Sequence, residues 1–159
     1  SDEDDEARIV FGESQIELET SSLRIISRLV EGRFPDYAVI IPKKFETSSF
    51  LNRKELFDTA KAASIFASKL QEVNISLSAN TLTIAAANPE VGLYRTELAS
   101  PTSGKETQVS FNYRYLLDGL NSLDEEEVFF GINGRDGPAL IRNKSEEGFR
   151  YVLMPIRLT

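Results

Sequence analysis

Two stretches of the sequence contain residue types that could bind a charged ligand. Gly131 to Ala139, GINGRDGPA, combines three glycines with Arg135, a composition that also occurs in phosphate-binding loops. It lacks the Gly-Lys-Ser/Thr ending of such a loop and the spacing of a dinucleotide-binding turn, so we interpret it as a hairpin turn. Asp124 to Glu127, DEEE, could bind a cation. Without EF-hand spacing it is better interpreted as a solvated acidic turn.

The sequence has no histidine and no cysteine, which restricts the chemistry open to it. Without histidine it lacks the commonest general base and the commonest metal ligand, and a Ser-His-Asp or Cys-His triad cannot form. Without cysteine neither disulfides nor thiolate metal sites are possible. We therefore expect no catalytic residues, no metal and no cofactor. A carboxylate-based hydrolase is a disfavoured alternative.

Length, hydrophobicity and charge are typical of a single folded domain. The chain has 159 residues, 41% of them hydrophobic, and a net charge of −7. Five of the negative charges belong to the opening SDEDDE, and bulk charge alone argues against nucleic-acid binding. No apolar run reaches the roughly 18 residues of a membrane span, and no signal-peptide pattern opens the chain. We expect a cytoplasmic protein without membrane contact.

The periodicity of the sequence predicts an α+β fold. Three short antiparallel strands are expected before Val30, with turns near Gly12 to Ser14 and Ser21 to Ser22. The segment from Val30 to Pro42 contains two prolines and is expected to be an extended connector.

Two helices follow, each with a sheet after it. Asn52 to Leu70 has helical periodicity, with Asn52 as N-cap and an apolar stripe along one face. The stripe consists of Leu56, Ala60, Ala63, Ala67 and Leu70. About four strands, a second helix capped by Asn112, and about three strands complete the chain, the last strand running almost to its end. The order from Thr47 therefore predicts an internal duplication.

Three segments resemble parts of one family. RLVEGRFPDYAVIIP, Arg28 to Pro42, resembles the linker between the second and third domains of the bacterial DNA polymerase III beta subunit, the sliding clamp. FNYRYLLDGLNSL, Phe111 to Leu123, resembles the second helix of its third domain, and YVLMPIRL, Tyr151 to Leu158, resembles its C-terminal tail. AANPE, Ala86 to Glu90, fits a strand-turn position of the same domain. The resemblance covers essentially the whole chain.

The resemblance implies a DNA clamp fold, with helices packed on antiparallel sheets. Residues 1–44 would be the C-terminal strands and linker of a partial domain II, and residues 45–159 the whole of domain III. The implied function is that of a non-catalytic processivity factor of bacterial DNA replication, which encircles duplex DNA as a ring-shaped homodimer. Its partners would be the DNA polymerase III alpha subunit, the clamp loader and repair polymerases, bound through short linear motifs. The alternative is a stand-alone peptide-binding adaptor without a DNA role.

Three sets of residues carry over from the family. The peptide-binding pocket would comprise Pro35, Val39, Ile40, Asn112, Tyr115, Pro138, Val152, Leu153, Met154, Pro155, Ile156, Arg157 and Leu158. The DNA-facing residues would be Arg53, Lys54, Lys61, Lys69 and Arg114, and the dimer interface would contain Ser64, Ile65 and Phe66. Each set has an ordinary alternative: core-facing strand residues, a solvated helix face, and a single exposed isoleucine.

Overall fold

The chain divides into two compact units. A computed structural model describes residues 6–145 and 148–157, and the contacts separate Ser1–Asp36 from Tyr37–Thr159. The first unit is a three-stranded antiparallel sheet of β1 (Arg8–Phe11), β2 (Gln15–Glu19) and β3 (Arg24–Arg28), in the order β1-β2-β3. The three predicted strands and their turns are confirmed.

The linker contains a helical turn where an extended connector was expected. Helix α1 spans Tyr37–Ile40, and the Ile41 amide donates to the Tyr37 carbonyl over 3.0 Å. The expectation was wrong between the prolines, because both prolines lie outside the four helical residues and remove no amide that the turn needs. The turn ends before Pro42, since a residue preceding proline disfavours the helical conformation.

The second unit contains nine strands and two longer helices among its described residues, besides α1. Its elements are β4 (Thr47–Asn52), α2 (Arg53–Ser64), β5 (Glu72–Leu77), β6 (Thr81–Asn88), β7 (Gly92–Ala99), β8 (Thr102–Gly104), β9 (Thr107–Asn112), α3 (Tyr113–Asn121), β10 (Glu127–Ile132), β11 (Ala139–Asn143) and β12 (Arg150–Leu153). Residues 78–81 and 88–92 form hairpin turns, and the hairpin turn predicted for Gly131 to Ala139 is confirmed.

The strands form two antiparallel sheets, and each sheet contains strands from both halves of the unit. The five-stranded sheet has the order β12-β11-β10-β4-β8, and the four-stranded sheet has the order β7-β6-β5-β9. Strand β4, which precedes α2, thus pairs with β10 of the second half, and β9, which precedes α3, pairs with β5 of the first half. The sequence analysis missed β4 and placed no strand before α2.

Both long helices begin at an asparagine in the same conformation. Asn52 (φ −67°, ψ 119°) accepts a hydrogen bond from the Glu55 amide over 3.0 Å. Asn112 (φ −65°, ψ 120°) accepts one from the Arg114 amide over 2.9 Å. Both predicted N-caps are confirmed, and each turns the chain directly from a strand into a helix.

Helix α2 is shorter than predicted because its last turn tightens. It ends at Ser64, whose hydroxyl donates to the Lys61 carbonyl over 2.7 Å. The amides of Phe66 and Ala67 bond to carbonyls three residues back, and Gln71 has a left-handed φ of 58°. The apolar stripe therefore ends at Ala63; Ala67 is half-buried and Leu70 is 60% exposed.

The helices share one core with both sheets. The buried apolar side chains of α2 and α3 belong to the same cluster as the inward-facing strand residues; they are Leu56, Ala60, Ala63, Leu116 and Leu120. Across the cluster the rings of Phe111 and Phe130, from different sheets, lie 6.0 Å apart. The core thus joins the two sheets through the helices between them.

Gly119 provides a test of how closely α3 packs on β12. A Cβ atom at this position would lie 2.6 Å from Cδ1 of Tyr151. We expect Gly119→Ala to lower the free energy of unfolding by about 1–3 kcal/mol, although alanine is the better helix former by about 1 kcal/mol. Urea unfolding monitored by circular dichroism measures this change.

The matched control is the same substitution in a Tyr151→Leu background. With the ring removed, Gly119→Ala should cost much less or should stabilise the protein, since only the helix propensity remains. Equal losses in the two backgrounds would contradict the packing argument.

Candidate functional site

The C-terminal tail leaves the five-stranded sheet at Leu153 and crosses to the other sheet. Strand β12 was expected to continue almost to the chain end, but the residues from Met154 onward are not strand. Pro155 explains the difference, because it has no N–H to continue the ladder. The Ile156 amide donates to the Ser110 carbonyl of β9 over 2.8 Å. The tail thus bridges the edge strands of both sheets.

The tail displays some of the predicted pocket residues and buries another. Met154 is 58% exposed, whereas Val152, Pro155 and Ile156 are half-buried. Leu153 was predicted to line the peptide-binding pocket, but it is only 3% exposed and belongs to the core. Alternation along β12 puts neighbouring side chains on opposite faces of the sheet, so Leu153 cannot line a pocket together with Val152.

Arg157 ends the described part of the tail and is anchored there. Its exposed guanidinium lies 3.4 Å from the Asp136 carboxylate in the β10–β11 turn. Leu158, the last predicted pocket residue, lies outside the described residues.

Helix α3 and strand β11 adjoin the tail. Pairing of Ala139 with Leu153 sets Pro138, the residue before β11, next to Met154. Tyr115 on α3 is 59% exposed, and it contributes to the electrostatic environment of Tyr151 on β12. Asn112 serves the helix instead, since its side chain caps α3 and its amide nitrogen lies 3.4 Å from Oε1 of Gln71. Met154 and Tyr115 are exposed, whereas Pro138 is half-buried.

The linker residues divide between the two units. Pro35 is an exposed residue of the first unit, and Val39 and Ile40 in α1 are 80% and 48% exposed. The linker also borders a cavity of about 390 Å³ against strands β11 and β12. Its lining includes Tyr37 and Ile41 from the linker. The sequence analysis named neither of them.

The cavity is lined by strand residues that sequence reasoning also missed. They are Leu140, Arg142 and Arg150. The signal that could have found the first two is the alternation in ALIRN, which puts Leu140 and Arg142 on one face of β11.

The helix face carries fewer available cations than predicted. Lys54, Lys61 and Arg114 are exposed, but Lys54 is paired with Asp58 one turn away. A hydrogen bond with Tyr113 raises the pKa of Arg114, which keeps its positive charge. Lys69 is exposed in the loop after α2, outside the helix.

Arg53 joins the two helices and does not point freely into solvent. Its side chain donates to the Glu125 carbonyl over 3.0 Å and to the Leu120 carbonyl at the end of α3 over 3.4 Å. Its backbone amide also donates to the Glu126 carbonyl over 2.8 Å. The structure thus gives Arg53 a structural role that the prediction did not include.

The end of α2 presents one apolar side chain to solvent. Ile65 is 68% exposed and Ser64 is half-buried. Phe66 is half-buried, with its ring stacked 5.7 Å from that of Tyr94 on β7. Leu93, on the same edge strand, is 70% exposed. The predicted interface residues therefore lie beside an exposed sheet edge.

The described residues contain neither a metal-binding group of acidic side chains nor a membrane-spanning helix. Within residues 6–145 and 148–157, no three acidic side chains are grouped closely enough to hold a metal ion. In the same ranges no helix has the length and apolar character needed to cross a membrane.

The chain matches one protein family over most of its length. The family described as DNA polymerase III beta subunit, C-terminal domain, matches residues 38–157. The chain therefore belongs to this family, and the resemblance predicted from the sequence is confirmed. Among curated relatives it is 28% identical over 160 residues to a Staphylococcus epidermidis beta sliding clamp, and 26% identical over 160 residues to one from Staphylococcus aureus.

Solved sliding clamps share the fold. A Pseudomonas aeruginosa clamp crystallised with a ligand has a TM-score of 0.86 and 30% identity, covering 99% of this chain and 43% of that one. A Bartonella birtlesii clamp bound to griselimycin has a TM-score of 0.86 and 29% identity, covering 96% of this chain and 41% of that one. The predicted α+β clamp fold is confirmed. The alignments to the two staphylococcal relatives cover 99% of this chain and 42% of theirs.

Tyr151 gives this region a measurable dependence on pH. Burial raises the pKa of Tyr151 above its ordinary 10.0, and the negative charge of Asp118 adds to the effect. Below about pH 10 the phenol is protonated in both folded and unfolded chains. Above it the unfolded phenol ionises first, so the free energy of unfolding should fall as the pH rises. We expect Tyr151→Phe to reduce this fall in urea titrations between about pH 8 and pH 11.

The other four tyrosines are present in both proteins and provide the internal reference. Identical pH dependence in the two proteins would show that Tyr151 does not contribute.

Proposed function

We propose that this chain is the linker and C-terminal domain of a bacterial sliding clamp, a non-catalytic subunit of a DNA-directed DNA polymerase. The observation that carries the proposal is the tail. It bridges two sheets and displays the exposed Met154, in a chain that belongs to the beta-subunit family. The clamp would form a homodimeric ring on duplex DNA in the cytoplasm and tether polymerases and the clamp loader.

The tail surface suits a short peptide. Pro155 and the hydrogen bond from Ile156 hold the backbone in place, so binding would not have to order it. Met154 offers a flexible, polarizable side chain that adapts to different apolar anchors. Two of the similar clamp structures hold griselimycin, which supports a ligand pocket in clamps of this fold. Val39 and Ile40 would supply the linker side of that pocket.

A peptide titration tests this surface directly. We expect a labelled peptide with a glutamine-and-leucine motif to bind saturably, and Met154→Ala to weaken it by about five- to tenfold through loss of an apolar contact. Fluorescence anisotropy gives the dissociation constants.

Leu70→Ala is the matched control, because Leu70 is about as exposed as Met154 but lies in the loop after α2. Equal effects of the two substitutions, or no binding by the unsubstituted chain, would reject the tail as the peptide site.

The helix face would meet the phosphate backbone. Lys54, Lys61, Lys69 and Arg114 could provide sequence-independent contacts, as sliding requires, and no base-reading set of residues is needed. Because Asp58 pairs with Lys54, the face as folded is only weakly positive. Ring closure would come from Ser64, Ile65 and Phe66 meeting a second protomer. Without a closed ring, we expect this chain to bind duplex DNA weakly and with strong salt dependence.

Two substitutions with opposite signs test the DNA face. Lys61→Glu should weaken binding to a short duplex. It should also make the negative slope of log K against log salt shallower, by about 0.9 for each lost phosphate contact. Asp58→Asn should strengthen binding, because it removes the partner of Lys54. Anisotropy titrations at several salt concentrations measure both.

Lys105→Glu serves as control, because Lys105 is exposed just after β8, at the edge of the five-stranded sheet. If neither helix substitution differs from this control, the helices do not face DNA and the adaptor alternative stands.

A further inference from the structure

The outer face of the four-stranded sheet contains a small cavity with one carboxylate, which we call the Glu72 cavity. Its volume is about 200 Å³, and Glu72 shares its lining with apolar and neutral polar residues. The outward apolar side chains are Ala85, Ala87 and Leu93, of which Leu93 is 70% exposed. The described lining contains no cation, and all of it belongs to the second unit.

Strand register explains why a cavity forms at this place. The inward-facing residues of β5 belong to the core, so Glu72 and Asn74 lie on the outer face of the sheet. On that face Asn74 pairs with Ala85 of β6, and Ala87 of β6 pairs with Leu93 of β7. The two alanines are short, so β6 forms a depression between the longer side chains of β5 and β7. An aliphatic chain can lie in this depression.

One carboxylate oxygen of Glu72 has no partner within the described part of the chain. Oε2 is shielded from solvent and makes no hydrogen bond there. An oxygen in this situation loses its hydration without compensation, which is costly for a charged group. The last torsion of a glutamate side chain is broad, so a small rotation can turn this oxygen toward the cavity. A cation that enters the cavity would therefore meet a carboxylate with unused hydrogen-bonding capacity.

The polar groups around this carboxylate are engaged with one another. Asn74 Nδ2 donates to the Ser110 hydroxyl over 3.0 Å, and Asn74 Oδ1 accepts from Gln108 Nε2 over 2.8 Å. Arg95 of β7 lies 3.5 Å from the carboxylate of Glu97 on the same strand. Because the described lining of the cavity contains no cation, the compensating charge would come from another molecule.

We propose that the Glu72 cavity binds a lysine side chain of a partner protein. The ammonium group would pair with the Glu72 carboxylate, and the methylenes of the lysine would cover Ala85, Ala87 and Leu93. A compact charge on a flexible stem can reach a carboxylate with one shielded oxygen, whereas the guanidinium fork of arginine needs both oxygens. The cavity would give the domain a second contact point for proteins, and none of its lining residues was assigned to the tail surface.

Titration with two capped amino acids tests this proposal. The probes are Nα-acetyl-lysine N-methylamide and its norleucine counterpart, which keeps the aliphatic stem and lacks the ammonium group. Two-dimensional amide NMR at constant ionic strength follows the resonances of residues 85–87 and 93. We expect the lysine probe to bind saturably with a dissociation constant on the order of 10 mM, and the norleucine probe to bind at least about fivefold more weakly.

Two substitutions assign the binding to the cavity. Glu72→Gln keeps the shape of the side chain and removes its charge, so it should abolish the preference for the lysine probe. Ala87→Leu should fill the cavity and prevent saturable binding of both probes; because Ala87 is exposed, the sheet can accept the larger side chain. Glu106→Gln is the matched control, since Glu106 is exposed just before β9 and does not line the cavity. It should change binding of the lysine probe by less than about twofold.

Several results would overturn the proposal. They are equal binding of the two probes, equal effects of Glu72→Gln and Glu106→Gln, and resonance shifts that do not saturate or that persist in Ala87→Leu. Should Ala87→Leu disturb the sheet, which its amide spectrum would reveal, the comparison of the two glutamine variants still decides the outcome. None of these results bears on the peptide titration at the tail, so this inference and the proposed function are tested separately.

Discussion

The architecture of the second unit depends on strands that each half contributes to the sheet of the other half. Strand β4 completes the sheet of the second half, and β9 completes the sheet of the first. Each of these two strands runs directly into a helix through an asparagine cap, so α2 and α3 start in equivalent places and pack into one core. Neither sheet is complete without residues from the other half, and the duplication therefore produces one cooperative domain.

The surface of the proposed peptide site depends on the same arrangement. The tail can bridge the two sheets only because β12 and β9 are both edge strands, one in each sheet. Within the second unit, Arg53 connects the start of α2 to the end of α3 through its hydrogen bonds to the Leu120 and Glu125 carbonyls. Met154 is thereby displayed on a rigid support, while its neighbour Leu153 anchors the strand in the core.

Local chemistry made much of this fold predictable. The asparagine caps, the hairpin turns and the three N-terminal strands follow from residues that act on their immediate neighbours. Strand β4 was missed because TSSFLN has little strand propensity of its own. Its buried polar residues have partners far away in the sequence: the Thr47 hydroxyl donates to the Lys105 carbonyl over 2.6 Å, and the Ser49 and Ser100 hydroxyls lie 2.7 Å apart. The end of α2 was predicted too late, because the hydrophobic periodicity of the sequence gives no information about the tightened turn after Ser64.

The candidate site was predictable only where a familiar motif marked it. The tail and Tyr115 were found through resemblance. The cavity that the linker borders was not predicted, because its lining comes from the linker and from strands β11 and β12. Arg142 in this lining is oriented by the ring of Phe129 on β10. The structural role of Arg53 was missed for a related reason: a basic residue at the start of a helix gives no sign of the carbonyls it will meet.

The exchanged strands also affect the order in which the domain can form during synthesis. Strand β4 leaves the ribosome early, yet its ladder partner β10 follows about 80 residues later, with Thr47 pairing with Ile132. Contacts this distant in sequence slow folding, because the intervening chain must be ordered before they form. The first half must therefore wait with one edge of β4 unpaired, and the short length of this strand makes it a poor template for aggregation.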